Sequence, residues 1–111
     1  MSKIALVDLD GVLNNYDGNY NANVIPQPKD NVEDFLIKLS SAYKIHIFTV
    51  RNKELTTEWL KQYNLFKYIK EITNIKNPFA SIIIDDRAIN FNGNFDEVLN
   101  KAINFKPYWK N

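Results

Sequence analysis

The 111-residue sequence predicts an α/β domain with a mainly parallel central sheet in a three-layer arrangement, and three observations carry that reading. Short apolar runs, Ile4-Ala5-Leu6-Val7, Ile45-His46-Ile47-Phe48 and Ile82-Ile83-Ile84, have the continuous character of strands buried on both faces of a parallel sheet. Stretches with apolar residues at helical spacing lie between and after them, which implies layered packing. The runs end in polar residues: Asp8 and Asp10, Thr49, and Asp85 with Asp86. In open α/β sheets that carboxyl edge is where ligands bind.

Taken in order, the first strand ends at Asp8 and runs into the Asp10-Gly11 turn. Residues 12–28, rich in Asn, Tyr, Gly and Pro, have no helical or strand period and read as a long loop, flap or irregular hairpin. Asp30 followed by Glu33 resembles a capping box, and Val32, Phe35, Leu36 and Leu39 then recur as the buried stripe of a first helix. Tyr43 to Thr49 is the second strand, after which Asn52 caps a helix through Leu55, Trp59 and Leu60. Phe66 to Thr73 fits either a helix end or a short third strand. Ile82 to Ile84 is a β-branched strand. Ala88–Phe91 is a candidate fifth strand, and Asn94 with Glu97 opens a last helix over about residues 95–104. Trp59 and Leu60 read as helix packing, and Phe105, Tyr108 and Trp109 as a C-terminal flap over the core, a contact between two copies being the alternative for that tail.

The size favours one domain spanning residues 1–111, which at this length buries roughly two-thirds of the surface its unfolded chain exposes. With 45% hydrophobic residues, 24% charged and a formal net charge of +1, the composition is that of an ordinary globular protein. Scattered Lys and Arg argue against a dedicated nucleic-acid binder, though not against a nucleotide-sized ligand. With no cysteine, disulfides, thiolate metal sites and a cysteine nucleophile are excluded. The first apolar run is too short for a signal core or membrane span, so a cytoplasmic location without membrane association is expected.

Asp8 and Asp10 leave the first strand at Gly11, where a tight turn can aim one carboxylate and one backbone carbonyl at a common point. Two more carboxylates arrive at Asp85 and Asp86. Acids gathered in this way repel unless a cation sits among them, and an all-oxygen set suits Mg²⁺, which retains waters and binds phosphate as well. Read alone, Asp10-Gly11 is also an ordinary turn. A calcium loop fails on the residues, since Asn19 stands where its bidentate Glu would be. His46 lies inside a strand and reads as a packed residue.

With these residues in view the chain resembles the haloacid dehalogenase-like (HAD) hydrolase superfamily. Its first motif, an apolar strand followed by D-x-D-G-[TV], stands here as Ile4-Ala5-Leu6-Val7-Asp8-Leu9-Asp10-Gly11-Val12. Ile47-Phe48-Thr49 matches the strand ending in Thr or Ser, Lys76 is the best-placed third-motif lysine, and Ile82-Ile83-Ile84-Asp85-Asp86 matches the strand ending in paired acids. The matches cover residues 4–86 in the required order. Thr49-x-Arg51 and Ile84-Asp85-Asp86-Arg87 are also similar to the phosphatase half of polynucleotide kinase-phosphatases, but no G-x-x-x-x-G-K-[ST] loop of a kinase half is present.

The resemblance implies a Rossmann-like domain of the capless type and a Mg²⁺-dependent phosphatase. In it Asp8 attacks phosphorus and Asp10 protonates the leaving oxygen, then activates water. Thr49 and Lys76 bind the phosphoryl group. Asp8 and Asp85 would hold the metal through their side chains, Asp10 through its backbone carbonyl and Asp86 directly or through water. Arg51 and Arg87 could grip a substrate phosphate or pair with the surrounding acids. Tyr16 and Tyr20 are candidate flap contacts to substrate. The expected partner is a phosphorylated small molecule or nucleic-acid end. A receiver-like phospho-accepting module is disfavoured by motif order, and a non-catalytic binding protein by the intact Asp8, Asp10, Thr49 and Asp85.

Overall fold

The computed structural model describes residues 3–110. Four strands form one sheet: β1 (Ile4–Asp8), β2 (Lys44–Phe48), β3 (Ile69–Thr73) and β4 (Ile82–Ile84). Three helices accompany them: α1 (Val32–Ser40), α2 (Lys53–Gln62) and α3 (Phe95–Ile103). The spatial order is β3-β2-β1-β4 and every strand pair is parallel, so the predicted α/β class holds. In register, Ala5 stands between Ile45 and Ile82, and Val7 between Ile47 and Ile84. These residues form one face of the sheet, and Leu36, Trp59 and Leu60 of α1 and α2 pack on it. Each fully buried Leu or Ile there contributes on the order of 1.5–3 kcal/mol. The Trp59 indole N–H finds a partner in the Pro26 carbonyl, 3.0 Å away.

Several sequence expectations are corrected. Helix α1 is not capped by Asp30: its N-cap is Asn31, in the left-handed region at φ 67° with no side-chain cap. Asn tolerates that conformation, which lets the chain turn from Asp30 into the helix. Phe66–Tyr68 is a single 3₁₀ turn and Ile69–Thr73 a strand, which resolves the ambiguity in that segment. Residues 88–91 form no strand, because β4 ends at Ile84 and the chain leaves the sheet beyond Asp85. Asn52 and Asn94 do cap their helices, accepting from the backbone N–H of Leu55 at 2.9 Å and of Glu97 at 3.0 Å.

The third layer is also incomplete. Helix α3 carries Phe95, Leu99 and Ile103 on one stripe, yet it buries none of its residues, and these three are 77%, 58% and 74% exposed. On the sheet face opposite α1 and α2, Ile83 remains 47% exposed. The segment between β4 and α3 carries no regular structure.

Candidate functional site

Chain order 1-2-3 runs outward on one side of β1, whereas β4 lies on the other side. The carboxyl ends of β1 and β4 therefore flank the point where the winding reverses, the usual place for a ligand crevice in an open parallel sheet. Asp8 ends β1, and Asp85 and Asp86 follow β4. Oxygens of Asp8, Asp85 and Asp86 lie within 4.8 Å of one another.

The electrostatic consequence falls on Asp8, whose carboxyl is raised from its ordinary 3.8 to about 8. Burial is the largest cause, followed by a hydrogen bond shared with Asp86 and the charges of Asp85 and Asp86. The Leu9 N–H, 3.0 Å from Asp8 Oδ1, acts in the opposite direction. With the Asp8 carboxyl ionised, Asp86 Oδ1 is buried with no hydrogen-bond donor among the described residues. Its other oxygen accepts the indole N–H of Trp109.

Asp10 lies outside that 4.8 Å group and is paired differently. Arg51 donates Nε–H to Oδ2 at 2.8 Å and Nη2–H to Oδ1 at 3.1 Å, a bidentate pair with the Arg51 side chain fully buried. Asn14, also fully buried, donates to Asp10 Oδ1 at 3.1 Å and accepts the backbone N–H groups of Gly11 and Tyr16. Arg51 further donates to the Asn21 carbonyl at 2.7 Å and lies under the Tyr20 ring, 4.5 Å from its centre. Of the two readings left open for Arg51, the geometry realises pairing with an acid.

A cleft of about 360 Å³ is lined by Asp8, Asp10, Tyr16, Tyr20, Thr49, Asp86 and Arg87, among others. Thr49 is buried and its hydroxyl accepts the Arg51 N–H, leaving its own proton free to donate. The Arg87 side chain makes no ion pair among the described residues. Lys76 lies in the β3–β4 connection and lines a neighbouring cleft with Phe48 and Asp85. His46 is buried in β2 and faces Glu71 at 3.5 Å, away from the site.

The flap is an irregular loop closed at its base, with Asn14 bridged to Pro28 and the Asn15 N–H donating to the Gln27 carbonyl at 2.9 Å. The tail departs from its expected role as cover for the core. Tyr108 donates to the Gly11 carbonyl, and Trp109 packs edge-on against Tyr16 at 5.1 Å, so the tail closes over the acidic turn instead. Sequence reading missed two participants, Asn14 and the Trp109 contact. Asn14 carried a local signal, an amide four residues past Asp10 in a turn that needs acceptors for its N–H groups. The Trp109 contact joins residues 23 positions apart and had none.

No protein-family model matches the chain, and no curated protein or solved structure matches it either.

Proposed function

We propose that this chain is a Mg²⁺-dependent phosphohydrolase of the capless HAD type, with Asp8 as its nucleophile. The observation that carries the reading is the gathering of Asp8, Asp85 and Asp86 within 4.8 Å at the switch point of a parallel sheet. Such a group is costly unless protons or a cation sit among the acids. The donor set fits a hard cation: all ligand atoms are oxygens, and Asp86 Oδ1 is a buried acceptor in need of a partner. Asp8, Asp85 and Asp86 would hold Mg²⁺, joined by the Asp10 backbone carbonyl. When bound, the ion would neutralise the cluster and draw charge from the phosphoryl oxygens.

The remaining steps belong to the chain's own residues. The Leu9 N–H fixes the orientation of the Asp8 carboxylate. Attack by an Asp8 oxygen forms a new bond to phosphorus and breaks the ester P–O bond, while the departing oxygen takes a proton from Asp10. Water then attacks the same phosphorus, gives its proton to Asp10, and frees Asp8 together with inorganic phosphate. The bidentate grip of Arg51 sets Asp10 as an acceptor, which suits the second step, and the first requires that pair to open. Thr49 donates its hydroxyl to a phosphoryl oxygen, and Arg87 is the basic side chain lining the cleft that is free to bind phosphate.

The substrate class is a phosphomonoester, a nucleotide or nucleic-acid end being one form suited to the open cleft. The direct test is Mg²⁺-dependent phosphate release from an aryl phosphate and from a panel of nucleotides, 3′- and 5′-phosphorylated oligonucleotides, sugar phosphates and phosphopeptides. Wild type is expected to turn over at least one of them, and Asp8→Asn to lower the rate by about 10³-fold or more. A long-lived acyl phosphate on Asp8 without turnover would replace the phosphatase reading by a phospho-accepting one.

A further inference from the structure

The two oxygens of Asp86 meet different fates. Oδ1 is buried without a partner, while Oδ2 accepts the Trp109 indole N–H. A carboxylate with one oxygen tied down has lost most of its freedom to rotate, so the donor that holds Oδ2 decides where Oδ1 points. Gly11 lies against that same oxygen: at φ +84°, a Cβ there would collide with Asp86 Oδ2 and stand 3.0 Å from Trp109 Nε1. Gly11 is thus the residue whose lack of a side chain lets the first acidic turn, Asp86 and the tail meet.

Trp109 is itself held from two directions. Its ring edge packs against Tyr16, and a Cβ on Gly18, at φ +102°, would lie 3.1 Å from its Cζ3. Next to it, the Tyr108 hydroxyl donates to the Gly11 carbonyl, and the Lys29 ammonium sits 5.0 Å from the Tyr108 ring centre. The chain that leaves the site after Asp86 passes through α3 and returns to the same carboxylate at Trp109.

We propose that Trp109 is a positioning residue for the cation site, presenting Asp86 Oδ1 to the ion by holding Oδ2; this rests on the phosphohydrolase reading above. Partners of this outer kind commonly alter metal affinity 10–100-fold when removed. The residue acts through Asp86 and touches no reacting atom, so its signature is in cation binding.

The experiment is Mg²⁺ titration by calorimetry on the wild-type chain, Trp109→Phe and Trp109→His, without substrate. Phe keeps an aromatic ring against Gly18 and Tyr16 but has no N–H, whereas His restores a ring N–H. Trp109→Phe is expected to bind Mg²⁺ about 10-fold or more weakly, with Trp109→His recovering part of the loss. Terbium supplies a readout that does not depend on any variant folding well. Indole excitation of the wild-type chain should sensitise emission from Tb³⁺ bound beside Asp86, and Mg²⁺ should quench that emission by competition. Equal Mg²⁺ affinity in wild type and Trp109→Phe, or bound Tb³⁺ without sensitised emission, overturns the role of Trp109 and leaves the phosphohydrolase reading standing. A wild-type chain that binds neither ion removes both.

Discussion

Asp8 and Asp10 are two residues apart, yet their side chains enter opposite environments, one among acids and one in the fork of a buried Arg51. That division gives Asp8 a distinctive pH dependence. Folded, it holds a proton up to about pH 8, and unfolded only to its ordinary 3.8. Between those values the folded state binds more protons, so stability falls as pH rises through the window and is lowest above it. Asp8→Asn cannot ionise and escapes this loss. In chelator, its melting temperature should gain on wild type by several degrees between about pH 4 and pH 8, and Mg²⁺ should narrow the gap. Parallel melting curves for the two proteins would show Asp8 ionised throughout.

Among the elements, α2 and α3 begin alike and are packed differently. Both have an Asn cap bonded to a backbone N–H at the third helical position. Helix α2 buries Thr56, Trp59 and Leu60, whereas α3 buries nothing. Losing the α2 cap should therefore be felt by the whole cooperative unit. Asn52→Ala is expected to lower global stability by about 1 kcal/mol, read as a shift of the urea midpoint at unchanged slope. An unchanged midpoint would mean that α2 frays independently of the core.

Across the whole molecule, α1 and α2 pack on one sheet face, while α3 buries none of its residues. Amides of β1 and β2, in the middle of the sheet, should exchange with solvent only through global opening. Those of α3, tied to the rest by the flanking chain and the Tyr108–Trp109 contacts, should exchange roughly 100-fold faster or more. Hydrogen exchange resolved by residue checks this, and protection in α3 equal to that in β1 would show its apolar stripe covered in solution. Among the described residues no helix is long and apolar enough to cross a membrane.

Much of the fold was legible because it is written in local patterns. Apolar runs, helical spacing and the Asn caps at 52 and 94 are each decided within a few residues, and they placed β1, β2, β4 and the three helices, while β3 stayed open between strand and helix end and the fifth strand expected at 88–91 did not form. The acidic ends of β1 and β4 were legible for the same reason, since a strand's end is a local event. What the tertiary structure alone decided involves partners distant in sequence. Arg51 pairing with Asp10, Lys76 lining a different cleft, and Trp109 returning to Asp86 depend on how strand order and loop paths bring separate edges together. The same holds for α3: Phe95, Leu99 and Ile103 form an apolar stripe, but amphipathicity states only that a helix has a side to bury. Whether a surface meets that side depends on where the chain after β4 travels, and no local propensity encodes that path.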